Sequence, residues 1–363
     1  MISKLRQALC LLTLACLWSP AQAQQTGKFE TREGDFTIRD FHFRSGETIP
    51  SLRLHYTTLG RPVRDAAGRV TNAVLILHGT SGDGHQFLRP QFADVLFAPG
   101  GLFDPQHIFV ILPDGIGHGK SSKPSDGLHA RFPHYDYADM VSAEHALVTD
   151  GLRVNHLRLV MGTSMGCMHS FMWGENYPAF MDALMPLACL PVPIAGRNRL
   201  WRAMIIDAIR NDPSWAQGEY KSEPREALRT TIDLFIIAGS APLLMQKTLP
   251  TREAADKYLD EAQTREASAL DANDILYAVE ASRDYDPSAA LGRIEAPVMW
   301  VNSADDFINP PELGIAQQEQ RKLKRGRFVL IPASGATHGH GTHTWAAVWK
   351  PYLAELLNES ARR

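Results

Sequence analysis

Cysteine is scarce in this chain, with 4 residues among 363, and two of the four lie within its first sixteen positions. Small secreted domains that depend on disulfides carry a much denser set, so this is not the sequence of a disulfide scaffold. The remaining pair, Cys167 and Cys189, is compatible with two buried thiols or with one disulfide. The sequence leaves that choice open.

Positive charge is also in short supply. The chain has 37 lysines and arginines against 40 acidic residues, a formal net charge of −3, and its basic residues form no stripe. Surfaces that bind nucleic acid need such a stripe, so we expect no nucleic-acid partner. Beyond the N-terminal region no apolar run approaches the roughly 20 residues that cross a bilayer, so we expect no membrane span.

Residues 1–23 have the pattern of a secretory signal peptide. Lys4 and Arg6 give a basic start, residues 8–18 form an apolar run, and the Ala-Gln-Ala of 21–23 suits a cleavage site. The run is too short to span a membrane, so we predict cleavage after Ala23 and a periplasmic or secreted protein. Removing two positive charges takes the net charge from −3 to about −5.

Strand and helix patterns alternate along the rest of the chain, which predicts an α/β fold with a mostly parallel, doubly wound sheet. Short segments at 36–38, 40–43 and 52–58 predict an antiparallel edge. The parallel strands are predicted at 73–77, 107–112, 157–161, 183–187, 297–302 and 327–331. One long segment is helical instead, with helices predicted at 198–211, 224–238, 252–263 and 272–282. We therefore predict a core at 24–188 and 290–363, with a helical lid insertion at 189–289.

The segment 162–166, Gly-Thr-Ser-Met-Gly, carries the strongest chemical signal. It follows the predicted strand at 157–161 and precedes 167–173, which predicts a helix with a largely apolar face. A strand that turns sharply into a helix strains the residue at the apex and needs small neighbours, which Gly162 and Gly166 are. This context favours Ser164 as an exposed nucleophile over an ordinary serine in a glycine-rich turn.

A nucleophilic serine needs a base, and the base needs a carboxylate that orients it. On this type of fold the acid and then the histidine follow the serine, each at the end of a later strand. Asp305 and Asp306 both follow the strand at 297–302. We expect Asp306 to be the acid because it lies four residues before Pro310, whereas Asp305 would cap the turn or be solvated.

Three histidines follow the strand at 327–331. We favour His340 as the base, because Gly339 lets the chain bring the ring over the nucleophile, with His338 and then His343 as alternatives. Their irregular spacing lacks the i, i+4 pairing of helical zinc sites, and no cysteine or carboxylate lies beside them. We therefore expect no metal.

An acyl-transfer site also needs N–H donors for the developing oxyanion. Met165, the residue after the nucleophile, offers one, and the loop after an earlier strand should offer the other. The glycine-rich loop at 78–83 follows the strand at 73–77. We expect the N–H of Thr80 to be the second donor.

The chain resembles the α/β-hydrolase superfamily and, more narrowly, its homoserine O-acetyltransferase group, over most of the mature length. The segments that carry the resemblance are 56–60, 77–80, 132–133 with 139–141, 162–166, and 208–215 with 218–220. The last pair is the narrowest signal, because it separates this group from generic esterases. The resemblance implies the α/β-hydrolase fold, with Ser164 as acyl-bearing nucleophile, Asp306 as acid and His340 as base.

Two positions depart from the acetyltransferase pattern. Those enzymes usually have an aspartate directly after the catalytic histidine, where it meets the amino group of homoserine, and Gly341 stands there. They tend to have an arginine for the homoserine carboxylate just before the Ala-Ile pair at 208–209, and Ile206 stands there. The charges of an amino-acid acceptor would be poorly paired. Acetyl-CoA is, in addition, a cytosolic metabolite, so an exported protein would not readily meet this acyl donor.

We therefore predict an exported serine hydrolase that cleaves a small carboxylic ester, such as an acetyl ester, through an acyl-enzyme on Ser164 and without a cofactor. The alternative is an O-acyltransferase of the homoserine O-acetyltransferase type, which moves an acyl group from acyl-CoA to an alcohol. Both share every step up to the acyl-enzyme. The sequence leaves open the two parts of the substrate and the oligomeric state, a homodimer included.

Overall fold

A nine-stranded sheet forms the centre of the computed structural model, which describes residues 23–24 and 29–361. The strands are β1 (Ala23–Gln24), β2 (Thr31–His42), β3 (Thr48–Leu59), β4 (Ala73–Leu77), β5 (Phe109–Pro113), β6 (Leu159–Thr163), β7 (Leu184–Leu187), β8 (Val298–Ser303) and β9 (Gly326–Ile331). In space they follow the order β1-β2-β3-β5-β4-β6-β7-β8-β9.

The sheet has an antiparallel edge and a parallel body. β1, β2, β3 and β5 pair antiparallel in succession, whereas the pairs from β5 through β4 to β9 are parallel. Both predicted parts of the sheet are therefore confirmed. The segments predicted as separate strands at 36–38 and 40–43 fall in one strand, β2, which ends at His42.

The central parallel strands are mostly apolar because both faces of the sheet are covered. Every residue of β4, β5 and β6 is buried, as parallel sheets require. Neighbouring residues of β4 point to opposite faces: Leu75 belongs to one core cluster, with Trp173 and Trp300, and Ile76 to the other, with Phe92 and Trp349.

Ten α-helices accompany the sheet in the described residues. They are α1 (Pro90–Leu96), α2 (Tyr137–Ala146), α3 (Met165–Asn176), α4 (Gly196–Asn211), α5 (Arg225–Gly239), α6 (Pro242–Thr248), α7 (Arg252–Ala267), α8 (Ala272–Glu280), α9 (Ile315–Glu319) and α10 (Ala346–Ser360).

Helices α4 to α8 lie between β7 and β8, which are neighbours in the sheet. They have a core of their own, centred on Trp201, Ile205, Leu228 and Leu276. Four of the five helices match the sequence prediction. The fifth, α6, has only 7 residues and follows the interruption at 240–241, so its pattern is too short to recognise. The division of the chain at 189 and 289 stays a prediction.

The predicted signal peptide lies outside the described residues, apart from Ala23. Within the part of the chain that is described, no single helix is long and apolar enough to cross a bilayer. Taken together, α5 and α6 meet that criterion of length and composition, with a bend of 110° at the break between them.

Cys167 and Cys189 form a disulfide, which answers the question that the sequence left open. Cys167 lies in the first turn of α3, and Cys189 lies just past the end of β7. Both side chains are fully buried. The bond therefore ties the helix that follows Ser164 to the neighbouring strand end.

Loss of this disulfide should lower the free energy of unfolding by about 3 kcal/mol, since cross-linking a loop of this size removes about that much chain entropy from the unfolded state. The two cysteines are 22 residues apart. The measurement is urea unfolding with and without a phosphine reductant. A Cys167→Ala/Cys189→Ala variant is the control and should not respond to the reductant. Two free thiols in the denatured, unreduced protein would show that the bond does not form.

Candidate active site

Ser164 lies at a sharp turn between β6 and α3, with φ 55° and ψ −110°. Residues other than glycine rarely adopt this backbone conformation, so Ser164 is strained at the apex of the turn. The two flanking glycines are required by space: a Cβ on Gly162 would lie 2.1 Å from the carbonyl oxygen of Gly166, and one on Gly166 would lie 2.1 Å from that of Leu77. The strand, the turn and the helix are as the sequence predicts.

The three residues predicted as nucleophile, base and acid come together. His340 Nε2 lies 2.8 Å from Ser164 Oγ, and His340 Nδ1 lies 2.9 Å from Asp306 Oδ2. The ring thus bridges the hydroxyl and the carboxylate. With Nδ1 donating to Asp306, Nε2 is left to accept the serine proton, which is the arrangement that a general base needs.

The Asp306 carboxylate is completely buried and fully bonded. Besides His340, it accepts hydrogen bonds from the side-chain amide of Asn309 at 2.9 Å and from the backbone N–H of Ile308 at 2.8 Å. Burial by itself would raise the pKa of this carboxyl, but the charge and hydrogen bond of His340, with the other donors, outweigh it and hold the pKa below its usual value. Asp306 is therefore ionised at neutral pH.

Asp305, the neighbouring carboxylate, does more than cap its own turn. It accepts hydrogen bonds from Ser303 Oγ, from Thr337 Oγ1 at 2.8 Å and from the backbone N–H of Gly339 at 3.2 Å. The last two donors belong to the loop that carries His340. Asp305 thus holds the loop that carries His340 against the loop that carries Asp306. The sequence analysis does not predict this contact.

Asn309 is a further site residue that sequence reasoning misses. Its amide donates to Asp306 Oδ2 and, at 3.0 Å, to the carbonyl of Ala188 at the end of β7. Its position directly before Pro310 is the one available signal, because an amide in such a turn bonds to neighbouring groups.

The other two candidate histidines do not contact Ser164. His338 stacks on Trp345, with ring centroids 3.8 Å apart. His343 is half-buried, with its ring centroid 5.1 Å from that of His340, and desolvation together with that neighbour lowers its pKa to about 3. Among the described residues no group of three or more potential ligands is placed to hold a metal ion.

The predicted oxyanion donors, Thr80 and Met165, both border the nucleophile. A Cβ on Gly79, the residue before Thr80, would lie 3.4 Å from Ser164 Cβ. The N–H of Gly166 donates to the carbonyl of His78 at 2.9 Å, which locks this loop to the elbow. Neither the Thr80 N–H nor the Met165 N–H donates to a described acceptor. Two free donors thus remain beside the serine.

Two cavities adjoin the site, and Ser164 itself is partly exposed. The larger, of about 910 Å³, is lined mainly by apolar residues from the segment after β7, the start of α4 and the loop after β8, with a few from α5 and α6. It reaches Met168, one helical turn beyond Ser164, and Asp306. The smaller, of about 560 Å³, is polar and reaches from Thr80 to α8 at Asp274. The lining of neither cavity includes Ser164.

Comparison with known proteins agrees with this architecture. Residues 72–337 match the alpha/beta hydrolase fold family. A probable acyltransferase of Methanothermobacter thermautotrophicus is 30% identical, with 82% of this chain and 89% of the relative covered. A homoserine O-acetyltransferase of Pelobacter propionicus is 29% identical, with 85% and 91% covered.

Solved structures show the same fold. A homoserine O-acetyltransferase from Bacillus anthracis superposes with a TM-score of 0.79 at 22% identity, over 90% of this chain and 98% of that one. The acetyl esterase MekB superposes with a TM-score of 0.77 at 24% identity, over 90% and 96%. At these identities the likeness establishes the fold and leaves the reaction open.

Gly166→Ala should destabilise the protein by at least about 2 kcal/mol, because the new Cβ would collide with a backbone carbonyl that cannot move aside. Gly239→Ala is the matched control. Gly239 has no atom within 4 Å of its Cβ position and no positive φ, so its substitution should be neutral or slightly stabilising. Urea unfolding of both variants measures the difference. Equal stabilities would contradict the close approach at the elbow.

Proposed function

This chain belongs to the α/β-hydrolase family and to its homoserine O-acetyltransferase-like group, and from that premise we propose that it transfers acyl groups through an ester on Ser164. The observation that carries the proposal is the continuous contact from Ser164 Oγ through His340 to Asp306. Such a chain activates a serine hydroxyl, which is otherwise a weak nucleophile.

The first half-reaction follows from the geometry. Ser164 Oγ attacks the carbonyl carbon of the substrate while its proton passes to His340 Nε2, and the buried Asp306 carboxylate stabilises the imidazolium that forms. The N–H groups of Thr80 and Met165 receive the oxyanion. When the tetrahedral intermediate collapses, the leaving group takes the proton from His340 and the acyl group stays on Ser164.

The second half-reaction decides between an esterase and an acyltransferase. His340 removes a proton from water in one case and from an alcohol in the other, and everything else is shared. The names of the relatives, taken alone, favour acyl transfer over hydrolysis, since the two curated relatives are a probable acyltransferase and a homoserine O-acetyltransferase. Acyl transfer is therefore a full second candidate.

The residues around the site argue against an amino acid as acceptor. Ile206 packs inside the apolar core of the helical insert and is 8% exposed, so it offers no charge to a carboxylate. Arg202, one turn earlier on α4, is 2% exposed and bonds to Asn198 and Ser282 within the fold. Gly341 offers no carboxylate to an ammonium. Neither of the two positions that the acetyltransferases use would therefore pair with a charge of homoserine.

The larger cavity fits an uncharged substrate. Its lining is mostly apolar, with Ile194, Ile237, Met245 and Leu313 among the residues that face it, and pockets of this kind bind apolar groups of substrates. Two cavities beside a partly exposed serine also admit water. We therefore put hydrolysis of an uncharged ester first, and acyl transfer to an uncharged alcohol second.

Export to the periplasm or the medium remains part of the proposal. The signal-peptide pattern at 1–23 motivates it, and the disulfide between Cys167 and Cys189 supports it, because such bonds persist in oxidising compartments. An exported enzyme would meet esters more readily than acyl-CoA.

Ser164→Ala should reduce hydrolysis of 4-nitrophenyl acetate at least about 10³-fold. It should also abolish labelling by a fluorophosphonate. In the unaltered protein, peptide mass spectrometry should find the fluorophosphonate adduct on Ser164. His340→Ala should lose a similar factor, since it removes the base. His338→Ala is the control, because its ring stacks on Trp345 and does not reach the serine. Labelling of the Ser164→Ala variant at the original rate would place the nucleophile elsewhere.

Homoserine should compete poorly with water for the acyl-enzyme. The test supplies 4-nitrophenyl acetate with homoserine or with 1-butanol and measures acetate, O-acetylhomoserine and butyl acetate. Gly341→Asp should raise the homoserine share about tenfold, the effect expected of one charge-assisted hydrogen bond. The variant has room, since the nearest atom lies 3.8 Å from the Cβ position. Efficient O-acetylhomoserine formation by the unaltered protein would instead establish the acetyltransferase alternative.

A further inference from the structure

Thr80 carries a buried hydroxyl that has no hydrogen-bond partner among the described residues. The residue is 8% exposed and lines the polar cavity beside the site. By contrast, the hydroxyls of Ser303 and Thr337 both bond to Asp305. A buried hydroxyl without a partner lowers stability. Folded proteins retain such a group where a water or an ion bonds to it or where it has a catalytic role, and among the unpaired side-chain groups Thr80 is one that lies beside the nucleophile.

The position of Thr80 limits what this hydroxyl can reach. Gly79 brings the loop against Ser164, and the Thr80 carbonyl is held by His118 Nε2 at 3.0 Å, so the backbone of the residue is fixed. The Thr80 N–H, which has no described acceptor, is separated from Oγ1 only by Cα and Cβ. An acceptor that meets this N–H is therefore within reach of the hydroxyl in a staggered χ1 rotamer.

We propose that the Thr80 hydroxyl is a third donor to the oxyanion, beside the N–H groups of Thr80 and Met165; this inference rests on the acyl-enzyme chemistry proposed above. As Ser164 Oγ bonds to the carbonyl carbon, the electron pair of the C=O bond moves to the oxygen and the serine proton passes to His340. Thr80 Oγ1–H donates to that oxygen and keeps its own proton. On collapse the electron pair returns to the carbonyl, and the leaving group departs with the proton from His340.

This proposal explains why the Thr80 hydroxyl has no partner in the free enzyme. Its partner exists only when a substrate is bound, and the hydrogen bond strengthens as negative charge develops on the oxygen. An interaction that is stronger in the transition state than in the ground state accelerates the chemical step. In the free protein the same unpaired hydroxyl lowers stability.

Thr80→Val tests the proposal, because valine keeps the shape and the backbone N–H and removes only the hydroxyl. We expect kcat for 4-nitrophenyl acetate to fall about 10- to 10³-fold, the range for one oxyanion donor, with KM within about threefold and the melting temperature unchanged or raised. Affinity for an aryl trifluoromethyl ketone, whose serine adduct carries an oxyanion, should fall with kcat/KM. Thr80→Ser should restore most of the loss. Ser81→Ala, an exposed hydroxyl in the same loop, is the control.

A second assay separates this inference from the function proposed above. The rate of fluorophosphonate labelling of Ser164 needs no knowledge of the substrate, and the phosphoryl oxygen of the adduct takes the place of the oxyanion. No labelling of the unaltered protein would overturn the proposed function. Equal labelling and equal kcat in the unaltered protein and Thr80→Val would overturn the third donor alone. So would a Thr80→Val variant that loses activity and stability together and is not restored by serine.

Discussion

No side chain fits between the carbonyl of Leu77 and the α-carbon of Gly166, and the geometry of the site depends on that close approach. It lets α3 begin directly against the end of β4, where the Gly166 N–H donates to the His78 carbonyl. The serine and the oxyanion loop are thereby fixed relative to each other by backbone atoms alone. Strain at Ser164 persists because the strand before it is fully buried and the helix after it is buried over its first seven residues.

The positions of Asp306 and His340 depend on a second set of contacts, which leads back to the first. Asn309 joins Asp306 to the carbonyl of Ala188, and the next residue, Cys189, is bonded covalently to α3. From α3 the path returns to Ser164, which touches His340 and so reaches Asp306 again. Because these contacts form a closed circuit, each loop is held by bonds on both sides, and both sets oppose its displacement. This accounts for two adjacent carboxylates with separate tasks, one facing the ring of the histidine and one holding its loop.

The features that the sequence predicts are those with a local physical cause. Runs of apolar residues predict the parallel strands, paired glycines predict the elbow, and strand ends predict where Asp306 and His340 must lie. The roles of Asp305, Asn309 and the two cysteines escape prediction, because each depends on loops far apart in the chain. Asn309 meets a carbonyl 121 positions away, and Asp305 meets a threonine 32 positions away. The periodicity of apolar residues in the sequence does not predict such long-range contacts between loops.

In the function proposed above, an esterase and an acyltransferase share the acyl-enzyme, and the choice of acceptor falls to a few side chains of the insert and of the loop that carries His340. A charged acceptor must give up its hydration to enter, and only a matching charge compensates for that loss. Under that proposal, isoleucine at 206 and glycine at 341 leave homoserine without two matching charges, whereas water and uncharged alcohols need none. The proposed selectivity thus rests on charges that are missing, and it requires no change in the residues that would perform the chemistry.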